Sequence, residues 1–182
     1  MARTRTELER DAKVDEILTA ADRRVREGGY DALSVAAIAR ELGLAQNAIY
    51  WYFPSKDHLF IAVLDQMLRD IAARKPTRSV DEIERILWFT DQFQPLSDLR
   101  GAMNERARSS KVVADFVAEL DARLSRMLSN ALSGHVPKAE LPIAVETFRA
   151  TVEGSFAKRL DTRTRRKVLR FTLQRLIGHT GQ

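Results

Sequence analysis

Residues 46–56, QNAIYWYFPSK, gather side chains that can touch a nucleic acid in three ways. Gln46 and Asn47 carry carboxamides whose paired donor and acceptor match the edge of adenine, and the Ala48 methyl suits the methyl of thymine. Tyr50, Tyr52 and Lys56 suit the phosphates that flank a groove. Tyr50, Trp51, Tyr52 and Phe53 are also four of only 13 aromatic residues in the chain. On a helix, successive side chains point about 100° apart, so four neighbours cannot share one core and at least one ring must look outward. A small core with adjacent aromatics is the plainer alternative. It does not explain why a two-turn helix would display Gln, Asn, Tyr and Trp together.

Other chemistries are poorly provided for. The absence of cysteine removes disulfides, thiolate nucleophiles and zinc–thiolate sites, and the three histidines (His58, His135, His179) are scattered. Neither a metal nor a cofactor is expected, nor is a catalytic set: His135 follows Gly134 without an evident partner. A helical enzyme and a protein-interaction adaptor using Trp51 and Tyr52 remain the rival classes. The net charge of +5 and pI near 9.8 suit a polyanionic partner. Residues 1–75, however, balance 12 basic against 12 acidic groups, while 76–182 hold 18 against 13. A nucleic-acid surface in the first half must therefore come from local placement. The charged N-terminus does not read as a signal peptide and no apolar run approaches a membrane span, so a cytoplasmic protein is expected.

The elements that must position these residues are all helices. Val14, Ile17, Leu18, Ala21 and Val25 stripe a first helix from about Glu7 to Glu27, which Gly28-Gly29 stops. Ser34 caps a short helix with Val35, Ile38, Ala39 and Leu42 on its apolar face. Gly43 breaks it, and a second short helix runs from about Gln46 to Tyr52, ended by Pro54. Ser55 caps a connecting helix over about 55–73, with Asp57 in its first turn. The polar segment 74–79, broken by Pro76, is the boundary candidate. Beyond it the spacing predicts helices near 80–93, 96–108, 111–132, 139–160 and 163–178. The expected protein is all-α with about nine helices. A helix-turn-helix head (1–54) is followed by a connecting helix (55–75) and a helical body (76–182).

Within the head, Ala39 must be small where two helices cross, and Gly43 makes the turn at little conformational cost. Such a pair presents Gln46, Asn47, Ala48, Tyr50 and Trp51 to a major groove, with Phe53 as inward anchor. The stretch from about Arg10 to Met67 resembles the DNA-binding head of the TetR/AcrR (tetracycline-repressor-like) transcriptional regulators. The matching pieces are Tyr30 after the glycines, Leu33-Ser34-Val35, Ile38-Ala39, Leu42-Gly43-Leu44 and Ala48-Ile49-Tyr50-Trp51-Tyr52-Phe53-Pro54-Ser55-Lys56. The resemblance implies base contacts from Gln46, Asn47 and Ala48, and backbone contacts from Ser34, Tyr50, Tyr52 and Lys56. Two positions depart from the family pattern. Ala45 stands where a Ser or Thr usually caps the recognition helix, a bond worth about 1 kcal/mol. Ala36 stands where some members place a base-reading arginine. Arg3 and Arg5 either reach the DNA as a basic arm or are merely solvated.

One head covers too little groove for useful specificity, so two must sit about one DNA turn apart to read a near-palindromic operator. The homodimer interface is expected on the last two helices. Leu141, Val145, Phe148, Val152 and Phe156 stripe one; Leu169, Leu173, Leu176 and Ile177 stripe the other. Either stripe can instead face its own core. Trp88, Phe89, Phe93, Met103, Asn104, Phe116 and Phe148 either line a pocket for a small-molecule effector or are ordinary core, with Glu105 and Glu153 as further polar candidates. The run Lys158, Arg159, Arg163, Arg165, Arg166, Lys167 and Arg170 reads as a solvated surface at a helix junction rather than a second nucleic-acid site. The resulting expectation is a ligand-responsive dimeric regulator, a repressor rather than an enzyme.

Overall fold

The computed structural model describes residues 5–74 and 81–178, with side chains from residue 9 onward. Arg3, the Arg5 side chain, most of the 74–79 boundary segment and His179 lie outside the described residues. Among the described residues the chain forms ten helices and no strand. They are α1 (Arg5–Ala32), α2 (Val35–Glu41), α3 (Gln46–Tyr52), α4 (Lys56–Ala73), α5 (Glu82–Gln92), α6 (Gln94–Asp98), α7 (Arg100–Ala107), α8 (Lys111–Leu132), α9 (Leu141–Ala157) and α10 (Thr162–Gly178). Two compact units contain them. The first joins residues up to Asp70 with Leu99–Val117; the second joins Ile71–Asp98 with the residues from Ala118 onward.

The first unit is built on α1, whose Ile17, Ala21 and Val25 are fully buried at helical spacing. Regular helix lasts only to Glu27, because Gly28 (φ −152°) and Gly29 (φ +67°) leave helical geometry. Leu33 is buried just beyond them, and the Ser34 hydroxyl accepts the Ala37 N–H at 3.2 Å, capping α2 as its type predicts. α2 buries Val35, Ile38 and Ala39. The α2–α3 corner closes with Leu44 N–H on the Ala39 carbonyl (2.8 Å) and Gly43 N–H on that of Arg40 (3.3 Å). This is the Schellman pattern, and Gly43 takes its left-handed residue at φ +64°. At the next junction the Ser55 hydroxyl accepts the His58 N–H at 3.3 Å. α4 then buries Leu59, Phe60, Val63, Leu64 and Met67. Each such side chain contributes about 1.5–3 kcal/mol of apolar transfer, offset by the entropy of ordering the chain.

The second unit has its own core of Ile86, Leu87, Leu128, Leu132, Val136, Ala144, Val145, Phe148, Leu169 and Leu173. The expected helix over 96–108 is two helices, α6 and α7, separated at Leu99. Pro95, expected between helices, lies in the first turn of α6, where its missing N–H has no helical partner to lose. α9 ends in a corner closed like the one in the head. Leu160 N–H reaches the Ser155 carbonyl (3.1 Å) and Arg159 N–H that of Phe156 (2.8 Å), with Arg159 itself at φ +51°. Asp161 then caps α10, accepting the Thr164 N–H at 3.0 Å.

The basic run at this corner is not simply a solvated surface. Arg165 is 3% exposed. It donates to Gln94 Oε1 at 2.8 Å and to the Leu160 carbonyl at 3.4 Å, and stacks 4.6 Å from the Phe156 ring. Arg165 and Arg166 approach Asp91 at 3.6 and 3.0 Å, while Arg170 pairs with Glu84. Two carboxylates on α5 draw three arginines of α10 inward, a pairing that charge counts along α10 alone do not reveal. Among the described residues no helix is long and apolar enough to cross a membrane.

Candidate nucleic-acid interface

α3 sorts its side chains by angle. Ile49 is fully buried and Phe53 is 8% exposed, the two anchors that face inward. Gln46, Asn47 and Tyr50 are exposed, Ala48 and Tyr52 are half-covered, and Trp51 is 70% exposed. An indole with that much open surface serves no core. Trp51 and Tyr52 meet edge to face at 4.9 Å, and the Arg10 guanidinium lies 5.5 Å from the Trp51 ring. Gln46 reaches the Tyr50 hydroxyl only at 3.5 Å, a long contact that leaves its amide available to a base. Ala45 caps α3 without a side-chain hydrogen bond, as its type requires. Ser34, at the exposed start of α2, already accepts one hydrogen bond but keeps its own hydroxyl proton for a phosphate.

Lys56, at the first position of α4, is half-buried, and its ammonium rests 4.1 Å from the centre of the Tyr30 ring. Burial draws its pKa below the usual lysine value. The Tyr30 hydroxyl donates to Asp57 Oδ1 at 2.7 Å. Arg106 of α7 grips the same carboxylate with Nε (3.2 Å) and Nη2 (2.9 Å). The Arg106 guanidinium holds the Asp57 carboxyl down to about 2, with help from the Tyr30 and Ser110 hydroxyls against the opposing effect of burial. Burial, then the hydrogen bond to Asp57, raises the Tyr30 hydroxyl to about 12. Sequence reasoning had Asp57 as an acid in a first helical turn and Tyr30 as a family match, and it missed Arg106. No local spacing announces a partner 49 residues away. Arg10 was missed for a similar reason: only the turn of α1 brings it to Trp51.

On the far side of α2, Glu41 accepts from Arg23 (2.6 Å) and Arg24 (2.7 Å), and these bonds lower its pKa. The resulting tie joins α1 to the C-terminal end of α2 without using any residue of α3.

The residues expected for effector binding do not fall in one unit. Met103 (buried), Asn104 (exposed) and Phe116 (half-buried) belong to the first. Trp88 and Phe89, edge to face at 5.0 Å, are half-buried with Phe93 in the second, where Phe148 is part of the closed core. Of the residues expected at a dimer interface, Val145, Leu169 and Leu173 are buried in the core of their own unit. Leu141, Val152, Phe156 and Leu176 are half-buried. The openly exposed apolar residues of α9 and α10 are instead Ile143, Val168 and Phe171.

The profile described as "Bacterial regulatory proteins, tetR family" matches residues 17–63, from the α1 core through the corner and α3 into α4. Over that segment the chain resembles the TetR family. Several relatives of the chain are described as HTH-type transcriptional regulators. Among curated relatives, the nucleoid occlusion factor SlmA of Haemophilus influenzae is 24% identical over 154 residues, 83% of this chain. The match spans only 61% of that relative's length. The HTH-type transcriptional repressor AcnR of Corynebacterium glutamicum is 26% identical over 152 residues, 81% of each protein. In fold, the chain is similar to a transcriptional regulator from Rhodococcus sp. Rha1 (TM-score 0.75, 18% identity), covering 91% of this chain and 96% of that one. A second likeness is to a regulator from Saccharomonospora viridis solved in complex with choline (TM-score 0.70, 15% identity; 90% and 96% covered). At these identities the structural likeness, which extends over most of the chain, is a likeness of fold.

Proposed function

We propose that this protein is a TetR-family regulator: a cytoplasmic, homodimeric transcriptional repressor that binds a near-palindromic operator and is released by a small-molecule effector. The observation carrying this reading is the sorting on α3: Ile49 inside, Gln46, Asn47, Tyr50 and Trp51 outside. In this reading Gln46, Asn47 and Ala48 read base edges in the major groove, while Ser34, Tyr50, Tyr52 and Lys56 hold the phosphates. Trp51, with Arg10 beside it, packs against the backbone at the groove edge.

Dimerisation would use α9 and α10. Ile143, Val168 and Phe171 supply the outward apolar surface, and Leu141, Val152, Phe156 and Leu176 supply its edges. Val145, Leu169 and Leu173 would support that surface from beneath. The effector would lie in the second unit, against Trp88, Phe89 and Phe93. To reverse a 1:99 balance between DNA-bound and released conformations, it must favour the released one by about 5.5 kcal/mol, a figure two modest sites can supply.

A gel shift against the duplex upstream of the protein's own gene tests the reading. Wild-type protein should select a fragment from random DNA, with affinity falling steeply as salt rises. Replacing Gln46 and Asn47 together with alanine should reduce that selectivity by about 100-fold or more, at about 1–3 kcal/mol per lost bidentate contact, with the helical signal unchanged. Equal selectivity of the two proteins would overturn the base-reading assignment.

A further inference from the structure

Arg106 lies outside the segment that matches the family profile, and nothing in its sequence neighbourhood suggests work at a DNA interface. Its geometry does. Asp57 and Lys56 are adjacent at the start of α4, and each is bound to a different part of Tyr30, Asp57 to the hydroxyl and Lys56 to the ring face. The ring is steadied from below by an edge contact with Phe60 at 5.1 Å. Arg106 closes the set by gripping Asp57 with two nitrogens while its own guanidinium lies 5.2 Å from the centre of the same ring.

Two cations thus lie near one aromatic ring beside one carboxylate. Arg106 is matched by Asp57 through a forked pair, the geometry in which a guanidinium is hardest to replace. Lys56 is held by the ring face, with Asp31 attracting it at longer range. A ring face orients an ammonium but does not consume its hydrogen-bond donors, which stay available to an oxyanion. Were Asp57 uncharged, Arg106 and Lys56 would repel across the ring and the tyrosine hydroxyl would lose its anchor.

We propose that Arg106, through Asp57 and Tyr30, is a positioning residue that sets the pose of Lys56 for a DNA phosphate. The inference rests on the DNA-binding reading above and adds to it a residue of α7. It also makes a prediction of sign. Simple electrostatics says that removing the Asp57 charge should tighten binding to a polyanion; loss of the positioning set says that it should weaken it.

The experiment measures operator affinity as a function of salt for wild type, Lys56→Ala, Arg106→Met, Arg106→Lys, Asp57→Asn, Tyr30→Phe and the Lys56→Ala/Arg106→Met double variant, with helical content and melting followed in parallel. Lys56→Ala should weaken binding on the order of tenfold and lower the salt slope by about 0.9 per head. Arg106→Met should do the same, and the double variant should be no weaker than Lys56→Ala alone. Arg106→Lys, which keeps the charge but not the fork, should resemble Arg106→Met rather than wild type. Tyr30→Phe keeps the ring and should lose severalfold. Asp57→Asn should weaken binding severalfold although it adds a unit of positive charge. If Asp57→Asn tightens binding, or if the Lys56 and Arg106 losses multiply, the positioning role is overturned. Should Arg106→Met fail to fold, Tyr30→Phe and Asp57→Asn decide the question by the same criteria. Failure of wild type itself to bind any duplex at low salt would overturn the underlying DNA-binding reading as well.

Discussion

The α2–α3 corner and the α9–α10 corner are closed by the same two backbone hydrogen bonds, yet they are built from different material. In the head, the left-handed position is Gly43, and the nearby Arg40 is exposed. In the second unit the equivalent residue is Arg159, which takes a conformation that costs an L side chain on the order of 1 kcal/mol. There the corner is braced from within by Arg165, bonded to the Leu160 carbonyl and stacked on Phe156. The turn of the first corner is closed by residues within a few positions of it, and Glu41 beside it is tied back to Arg23 and Arg24 of α1. The second is held by charges from α5, and its local sequence conceals it. A recognition helix must keep its angle whatever the rest of the chain does, which favours the local solution.

The sharpest way to break the contrast is to remove the brace. Asp91→Asn strips Arg165 and Arg166 of a shared counter-charge and should destabilise the protein on the order of 3 kcal/mol, read as a lower melting temperature or denaturant midpoint. Base selection at low temperature should persist if the head is independent of that brace. A smaller effect is expected at the local corner. A Cβ on Gly43 meets nothing within 4 Å, so Gly43→Ala should cost only the left-handed backbone term, about 1–2 kcal/mol.

Asp57 anchors a charge-dependent tie within the head, and pH tests its strength. Asp57 is held at about 2, below the usual carboxylate value, so its contribution is complete above about pH 4 and disappears as pH falls towards 2. After discounting for solvent screening, that contribution is about 1 kcal/mol. Acid titrations of stability for wild type and Asp57→Asn should therefore converge by this amount between pH 4 and 2. At the alkaline end the sign reverses. Tyr30, raised to about 12, favours the fold below pH 10 and loses that effect between 10 and 12, and Tyr30→Phe should remove the late tyrosinate absorbance. The smallest expected change is Arg159→Gly, which relieves the strained corner and should raise stability by about 0.5 kcal/mol in thermal melts.

The same contrast explains what was legible beforehand. Gly28-Gly29, Ser34, Gly43, Pro54 and Ser55 punctuate the head through local backbone chemistry, and each acts where its residue type places it. Ile49 and Phe53 could be assigned inward because only one angle on α3 suits both. Arg165 and Arg106 were not legible, because a basic residue shows its counter-charge only after the chain has folded back over tens of residues. The two stripes on α9 and α10 were ambiguous for another reason. Apolar spacing marks a buried face but does not name what buries it, and Leu169 and Leu173 turn out to face their own core.

One feature of the fold bears on synthesis. The first unit is discontinuous: Leu99, Met103 and Val113 are buried members supplied from beyond the second unit's first segment. A ribosome must therefore deliver residues up to about Val117 before that unit has all its parts. Cutting the gene after the connecting helix would yield a helix-turn-helix without three of its apolar supports and without the arginine that clasps its lysine-bearing turn. The first unit is encoded by two stretches of message, and it is complete only when the second has been translated.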